Sequence, residues 1–128
     1  MKTLIQNGLV TPDGTILTSG HRHDYKTHKD KNGVKYMVDG GLDYCRRTTY
    51  IPKEDLVLYK EDSHTKIRNK YVWGTFGKNG DQPYRQVRLK DMTTDHILAV
   101  MEHCRISPDR TEIYENELLY RVAGSESN

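Results

Sequence analysis

The sequence lacks the features that mark several common classes of protein. No apolar run approaches the length of a membrane span, and no signal peptide opens the chain, so a cytoplasmic protein is expected. Only two cysteines occur, Cys45 and Cys104, and they form no CxxC pair. A single bridge between them is conceivable, but two free, buried thiols are the expected state in a reducing compartment.

An excess of charge of one sign is also missing. The formal net charge is +2, from 20 Lys and Arg against 18 Asp and Glu. General DNA and RNA binders are usually more basic, so polymeric nucleic acid is not an expected partner. The mean hydropathy is low, at -0.86, which predicts a thin core. A thin core is often completed by a second subunit, so we expect a homo-oligomer.

Familiar catalytic motifs are absent as well. The chain contains no G-x-S-x-G, Walker or Rossmann pattern, and Cys45 does not open a phosphatase loop. Arg46 and Arg47 follow Cys45 and could clamp phosphate or remain solvated, whereas Cys45 is expected in the core. No cofactor and no catalytic residue is predicted.

Turn signals dominate the first half of the sequence. Asn-Gly and Pro-Asp-Gly supply positive φ angles at little steric cost, and each here precedes a short run that contains apolar residues. Three such turns predict an antiparallel meander, and Gly40-Gly41 marks a bulge or a close backbone approach. The three turns are Pro12-Asp13-Gly14, Asn32-Gly33 and Asn79-Gly80.

The last third of the sequence changes to helical spacing. Apolar residues recur at Ile97, Val100, Met101 and Cys104, with Asp91 and Thr93 as candidate caps. Ser107-Pro108 predicts a second helix over about 108–122. The fold class is therefore predicted as α+β, an N-terminal antiparallel sheet followed by two C-terminal helices. We expect one ligand-binding domain over residues 1–123 and a flexible tail over 124–128.

A histidine cluster is the first candidate for chemistry. His21, His23 and His28 could bind zinc, and His23-Asp24 resembles the HD dipeptide of metal-dependent phosphohydrolases. In a strand, however, His28 would face away from the other two, and no cysteine lies nearby. HD sites also belong to all-helical folds. No metal site is therefore predicted, and hydrogen bonding within a turn is the preferred interpretation.

The segment 70–89 is a better candidate because it interleaves aromatic and basic residues. Trp73 and Phe76, each the single example of its type, lie close to Tyr84, Arg85 and Arg88. An aromatic plane beside guanidinium groups suits a nucleotide, whose base stacks and whose phosphates accept paired hydrogen bonds. The opposing interpretation is that Trp and Phe in so polar a chain form the core.

Several blocks of sequence together form a recognisable pattern. They are residues 7–10 with 12–15, His21-Arg22-His23-Asp24-Tyr25, 38–44 with Arg46-Arg47, 73–80, Gln82-Pro83, and 92–97. The blocks extend across nearly the whole chain as far as the second helix, and their combination is specific although each alone is weak. Together they resemble the phage anti-Thoeris proteins of the first described type, Thoeris anti-defence protein one.

The resemblance implies a protein that binds cyclic ADP-ribose isomers made by bacterial TIR-domain immune enzymes and holds them without cleavage. It further implies an antiparallel sheet followed by two helices, a homo-oligomer (a dimer or a trimer of dimers), and ligand bound at subunit interfaces in the cytoplasm of the infected host. Some members hold cyclic oligonucleotides at a second site, a property left open for this chain.

Eight residues are predicted to bind such a ligand. Trp73 or Phe76 would stack on the base, four arginines would bind phosphates, and two polar side chains would hydrogen-bond ribose or base. Arg105→Ala is expected to weaken binding by more than about tenfold. The eight residues are Trp73, Phe76, Gln82, Tyr84, Arg85, Arg88, Arg105 and Arg110.

Two alternatives remain at this stage. One is a metal-dependent hydrolase of a cyclic nucleotide, built on the histidine cluster, which would yield a linear product. The other is a small protein that inhibits a host enzyme by direct contact, with exposed tyrosines as hot spots.

Overall fold

The computed structural model describes residues 3–20, 22–43, 46–47, 54–76 and 81–126. The chain divides into two compact units, Met1–Glu61 and Asp62–Asn128. The first consists of antiparallel strands, and the second contains one hairpin and three helices, so the α+β class is confirmed. Whether the ligand-binding domain extends over 1–123 stays a prediction. Within the described ranges, no helix combines the length and the apolar character that crossing a membrane requires.

The first unit is built from two open antiparallel sheets. The strands are β1 Leu4–Val10, β2 Ile16–Ser19, β3 Lys26–Lys29, β4 Lys35–Asp39, β5 Arg46–Arg47, β6 Glu54–Asp55 and β7 Leu58–Tyr59. In one sheet β1 is central and pairs with β2, β6 and β7. In the other sheet β4 lies between β3 and β5.

Two of the predicted turns are confirmed by left-handed glycines. Gly14 has φ 89° between β1 and β2, and Gly33 has φ 83° between β3 and β4. Gly40 and Gly41 are also left-handed, at φ 84° and 52°, so the chain turns there. The Asn7 amide fixes this turn by donating to the Gly41 carbonyl at 3.1 Å. The third turn, Asn79-Gly80, lies outside the described residues, although the strands on either side of it do pair.

The core of the first unit forms where alternate residues of β1, β2 and β4 meet. Leu9, Leu17, Tyr36 and Val38 are buried together there. Gly8 lies next to this cluster, and a Cβ at this position would be 2.7 Å from the Leu17 carbonyl oxygen. The two backbones therefore approach too closely for any residue but glycine.

The second unit contains a helix that the sequence interpretation missed. α1, His64–Lys70, precedes the hairpin, so the described residues contain three helices where two were predicted. Ser63 begins it by accepting a hydrogen bond from the Lys66 amide at 3.2 Å. Ile67 is its single buried residue, and one apolar position does not form the periodic pattern from which a helix is predicted. The other elements are β8 Val72–Thr75, β9 Arg85–Arg88, a 3₁₀ turn Leu89–Asp91, α2 Thr94–His103 and α3 Pro108–Glu126.

The N-terminal ends of α2 and α3 are capped as the sequence predicted. Of the two candidate caps for α2, Thr93 fills the role by accepting from the His96 amide at 3.1 Å, and Asp91 belongs to the 3₁₀ turn. Ser107 accepts from the Arg110 amide at 3.3 Å at the start of α3. This helix continues to Glu126 and is therefore longer than the predicted 108–122.

The cysteine prediction is wrong for Cys104. Ile97 and Val100 are buried on α2 as the spacing predicted, but Cys104 is exposed. It is the residue that ends α2, with its amide still bonded to the Val100 carbonyl at 3.0 Å, so its side chain leaves the buried stripe. Cys45 lies outside the described residues.

A buried carboxylate holds the helices of the second unit together. Glu117 on α3 is 0% exposed and accepts two hydrogen bonds from Arg68 of α1, at 2.9 and 3.1 Å. Arg121 donates to the same carboxylate at 2.7 Å and also to the Met92 carbonyl, likewise at 2.7 Å. His64 completes the cluster, with Nε2 2.9 Å from Glu117. Arg121 therefore fixes the segment that leads into α2.

Candidate ligand pocket

A pocket of about 480 Å³ lies in the second unit between the β8–β9 hairpin and α2. This volume falls within the range of about 300–1,000 Å³ that is usual for small-molecule sites. The lining combines one aromatic ring, one guanidinium group, two imidazoles and two carboxylates. The lining residues are Trp73, Thr75, Arg85, Val87, Asp91, Met92, Thr93, Asp95, His96, Ala99, Val100, His103 and Cys104.

Strand register explains why the hairpin contributes alternate residues. Trp73 pairs with Val87 and Thr75 pairs with Arg85, so these four side chains share one face of the antiparallel pair. All four line the pocket. The alternation that the sequence displays thus brings Trp73 and Arg85 to the same wall.

The Trp73 ring is held from behind by a buried tyrosine. Its centroid lies 6.3 Å from that of Tyr114, with the planes at 83°. Tyr114 is buried, meets Tyr71 edge to face at 5.8 Å, and donates a hydroxyl hydrogen bond to it at 3.4 Å. Burial raises the pKa of Tyr114 far above its ordinary value, so the phenol stays neutral. Trp73, only partly buried itself, therefore rests against a fixed, uncharged support.

The α2 wall comes from one stripe of the helix. His96, Ala99, Val100 and His103 recur at intervals of three or four residues and all line the pocket. Burial lowers the pKa of His96, and the positive charge of Arg85 lowers it further, so this imidazole is neutral at pH 7. Asp91 and Asp95 add carboxylates at the helix entrance.

Phe76, Tyr84 and Arg88 are not among the lining residues. Phe76 and Tyr84 are each 55% exposed, and their ring centroids are 5.2 Å apart. A Cβ at Gly74 would come within 2.8 Å of the Tyr84 ring, so this ring covers Gly74 rather than Trp73. Arg88 donates to the Asn69 carbonyl at 2.9 Å and thereby supports the end of α1.

The remaining predicted binding residues also lie away from the pocket lining. Gln82 is exposed, and its backbone N–H donates to the Phe76 carbonyl at 2.8 Å. Arg105 is exposed in the connection between α2 and α3. Arg110 is partly buried in the first turn of α3, where its charge opposes the burial effect on the pKa of Tyr114. Of the eight predicted residues, Trp73 and Arg85 line the pocket.

The histidine cluster is arranged for hydrogen bonding in the described part of the chain. His28 Nε2 lies 2.8 Å from Asp13 Oδ2 and 3.3 Å from Thr15 Oγ1, joining β3 to the β1–β2 turn. Hydrogen bonds from Thr11 and then His28 lower the pKa of Asp13. His23 is exposed, and His21 lies outside the described residues. No group of three or more His, Cys, Asp or Glu side chains suited to a metal occurs within the described ranges.

The sequence interpretation missed the α2 wall. The spacing of His96, Ala99 and His103 places these residues on one face of a helix, but the sequence interpretation considered only the buried residues of this helix.

Fold and pocket together define an α+β protein with a site of small-molecule size. Comparison with protein families, with curated proteins and with solved structures gives no match for this chain.

Proposed function

We propose that this protein binds and sequesters a cyclic ADP-ribose isomer, the product of a bacterial TIR-domain immune enzyme, without cleaving it. Holding the signal away from its effector would block Thoeris defence in the cytoplasm of the infected bacterium. The proposal includes assembly as a homo-oligomer, and it leaves open a second site for cyclic oligonucleotides. Its support is the sequence resemblance together with the chemistry of the pocket.

The observation that carries the proposal is the placement of Trp73 and Arg85 on one pocket wall. An adenine can stack on the supported indole, and a pyrophosphate can accept charge-assisted hydrogen bonds from the guanidinium group. Asp91 and Asp95 can accept hydrogen bonds from ribose hydroxyls or from an exocyclic amine. A nucleotide with few phosphates therefore suits this mixture of charges better than a polyphosphate does.

Capture and release tests the proposal. The purified protein is mixed with cyclic ADP-ribose isomers, freed of unbound ligand by filtration, heat-denatured, and the released nucleotide is identified by chromatography. Intact ligand is the expected result. A linear product would indicate an enzyme and return attention to the histidine cluster. Absence of any captured nucleotide would refute sequestration of this signal.

A pair of arginine variants tests the position of the site. Arg85→Ala should weaken binding by about tenfold or more, since a hydrogen bond to a charged group is worth roughly 1.5–3 kcal/mol. Arg105→Ala is the matched control because Arg105 is likewise exposed but does not line the pocket. Titration calorimetry compares the two. Loss of binding in Arg105→Ala alone would move the site to the α2–α3 connection, as the sequence interpretation expected.

A second candidate function is inhibition of a host protein by direct contact. The observation that favours it is the exposed pair Phe76 and Tyr84, because exposed aromatic residues are enriched at interface hot spots. A Phe76→Ser variant that captures nucleotide normally but fails to protect phage from Thoeris would support this candidate. Normal protection by the same variant would count against it.

A further inference from the structure

Two basic side chains from different elements line the same pocket. Arg85 comes from β9, and His96 comes from the first turn of α2. Arg85 carries its charge permanently, whereas an imidazole gains or loses charge in the physiological pH range. The two lie close enough for the guanidinium charge to act on the ring. An anion bound between them would therefore favour the protonated form of the His96 imidazole.

We propose that His96 is a second anion-binding group of this pocket and takes up a proton when a phosphate-bearing ligand binds beside Arg85. This inference rests on the proposed function, since it requires that the pocket accept a phosphate ligand. In the free protein, burial and Arg85 keep the ring neutral. Phosphate offsets the guanidinium charge, and an imidazolium can then donate a charge-assisted hydrogen bond to it.

Other charged groups around the pocket act on His96 in both directions. Arg85 opposes protonation of the ring. Asp91 of the 3₁₀ turn and Asp95 of α2 line the same pocket, and their negative charge has the sign that favours an imidazolium. His103 would oppose it when protonated, and α3 contributes the Arg121 guanidinium, which is bound to Thr94 and Glu117. Cys104 also lines the pocket. Binding adds the negative charge of the ligand to these groups. Because this charge favours the protonated imidazole, His96 should take up a proton when the ligand binds.

The consequence is a ligand affinity that depends on pH. A ligand that raises protonation of its site binds more tightly as protons become more abundant, because the two equilibria are reciprocally linked. Binding should tighten as the pH falls from about 8 to about 6, by at most about tenfold per pH unit for one proton.

Titration calorimetry in two buffers of different ionisation enthalpy measures the protons exchanged. The probe is the cyclic ADP-ribose isomer that the wild-type protein releases intact in the capture experiment. The wild-type protein should take up a fraction of a proton at neutral pH when the ligand binds. In His96→Gln this proton uptake should disappear and the ligand affinity should no longer depend on pH, while the variant still binds the ligand at high pH. His23→Gln is the control, because His23 is an exposed imidazole that does not line the pocket, and this variant should behave as the wild type.

The two proposals fail in different ways. Capture of the nucleotide with equal proton exchange in wild type and His96→Gln would overturn the role of His96 and leave sequestration intact. Proton release in the wild type relative to the variant would overturn it equally. Absence of capture by the wild type would refute both. Arg85→Ala provides an independent measurement, since removing the guanidinium charge should decrease the proton uptake of the remaining binding.

Discussion

Glu117 is charged in the interior of the second unit, and its charge depends on the side chains around it. Burial alone would raise the pKa of this carboxyl group, but hydrogen bonds from Arg68 and Arg121 outweigh burial. His64 is a third hydrogen-bond partner, and the net effect is a pKa below the ordinary value of 4.5. The same contact raises the pKa of Arg68. Glu117 and Arg68 are therefore both ionised at neutral pH.

Glu117→Gln should destabilise the protein strongly. Removing one partner of a buried ion pair costs about 3–5 kcal/mol because the other charges lose their compensation. Chemical denaturation measures the free energy of unfolding. Glu115→Gln, an exposed position on the same helix, is the control and should change this free energy by less than about 0.5 kcal/mol. A small effect of Glu117→Gln would mean that the cluster contributes little to stability.

Acid should remove the contribution of Glu117 to stability. Because its folded pKa lies below 4.5, the unfolded chain binds the proton first as the pH falls. The contribution is complete above about pH 4.5 and is lost as the pH falls through the lower folded pKa. Denaturation curves between neutral pH and about pH 3 should show a smaller loss of stability for Glu117→Gln than for the wild type. Equal losses would contradict this assignment.

Among the elements, the β8–β9 hairpin shows what sequence patterns can and cannot predict. The turn signal predicted a hairpin here and the two strands do pair, and the observed register places Trp73 and Arg85 on one face. The predicted binding set nevertheless mixed two faces. Phe76 and Arg88 each lie three residues from those positions, which in a strand is the opposite side. The same alternation, applied to every candidate on the two strands, separates the pocket residues from the others.

The β1–β2 hairpin has a steric limit at Gly8. Gly8→Ala should destabilise the first unit by about 1–3 kcal/mol, because its Cβ would meet the Leu17 carbonyl oxygen and the Thr18 side chain. Circular dichroism during chemical denaturation checks this. Gly20→Ala is the control, since a Cβ there would meet only Asp24 Oδ2, at 3.7 Å. If the two variants were equally stable, the strands would have to separate at Gly8 without cost.

At the scale of the whole chain, local signals predicted the elements well and the site less completely. The turns at Gly14 and Gly33 and the caps Thr93 and Ser107 act through neighbours a few residues away, and these predictions are confirmed. α1 is held by contacts with a distant segment, such as that of Arg68 with Glu117, which no local pattern records. Cys104 is exposed because α2 ends at this residue, although the apolar spacing continues to it. The pocket likewise requires that α2 lie against the hairpin, so its helical half could not be inferred from strand periodicity.

The free-energy effects of Gly8→Ala and Glu117→Gln should add. Gly8 has Leu17, Thr18 and Leu56 as neighbours, whereas Glu117 contacts only residues of α1 and α3 among those described, so the two sites share no partner. The double variant should match the sum of the single variants within about 0.5 kcal/mol. A larger discrepancy, measured by denaturation of all four proteins, would reveal coupling between the two sites.

The position of Trp73 gives the protein its own optical reporter. It is the sequence's single tryptophan, so all indole emission from the protein originates at the pocket wall. A base stacking on this ring would quench its fluorescence, and water displaced from the pocket would shift the emission to shorter wavelength. Ligand entry can therefore be followed in real time on the unlabelled protein, including how long each captured molecule stays.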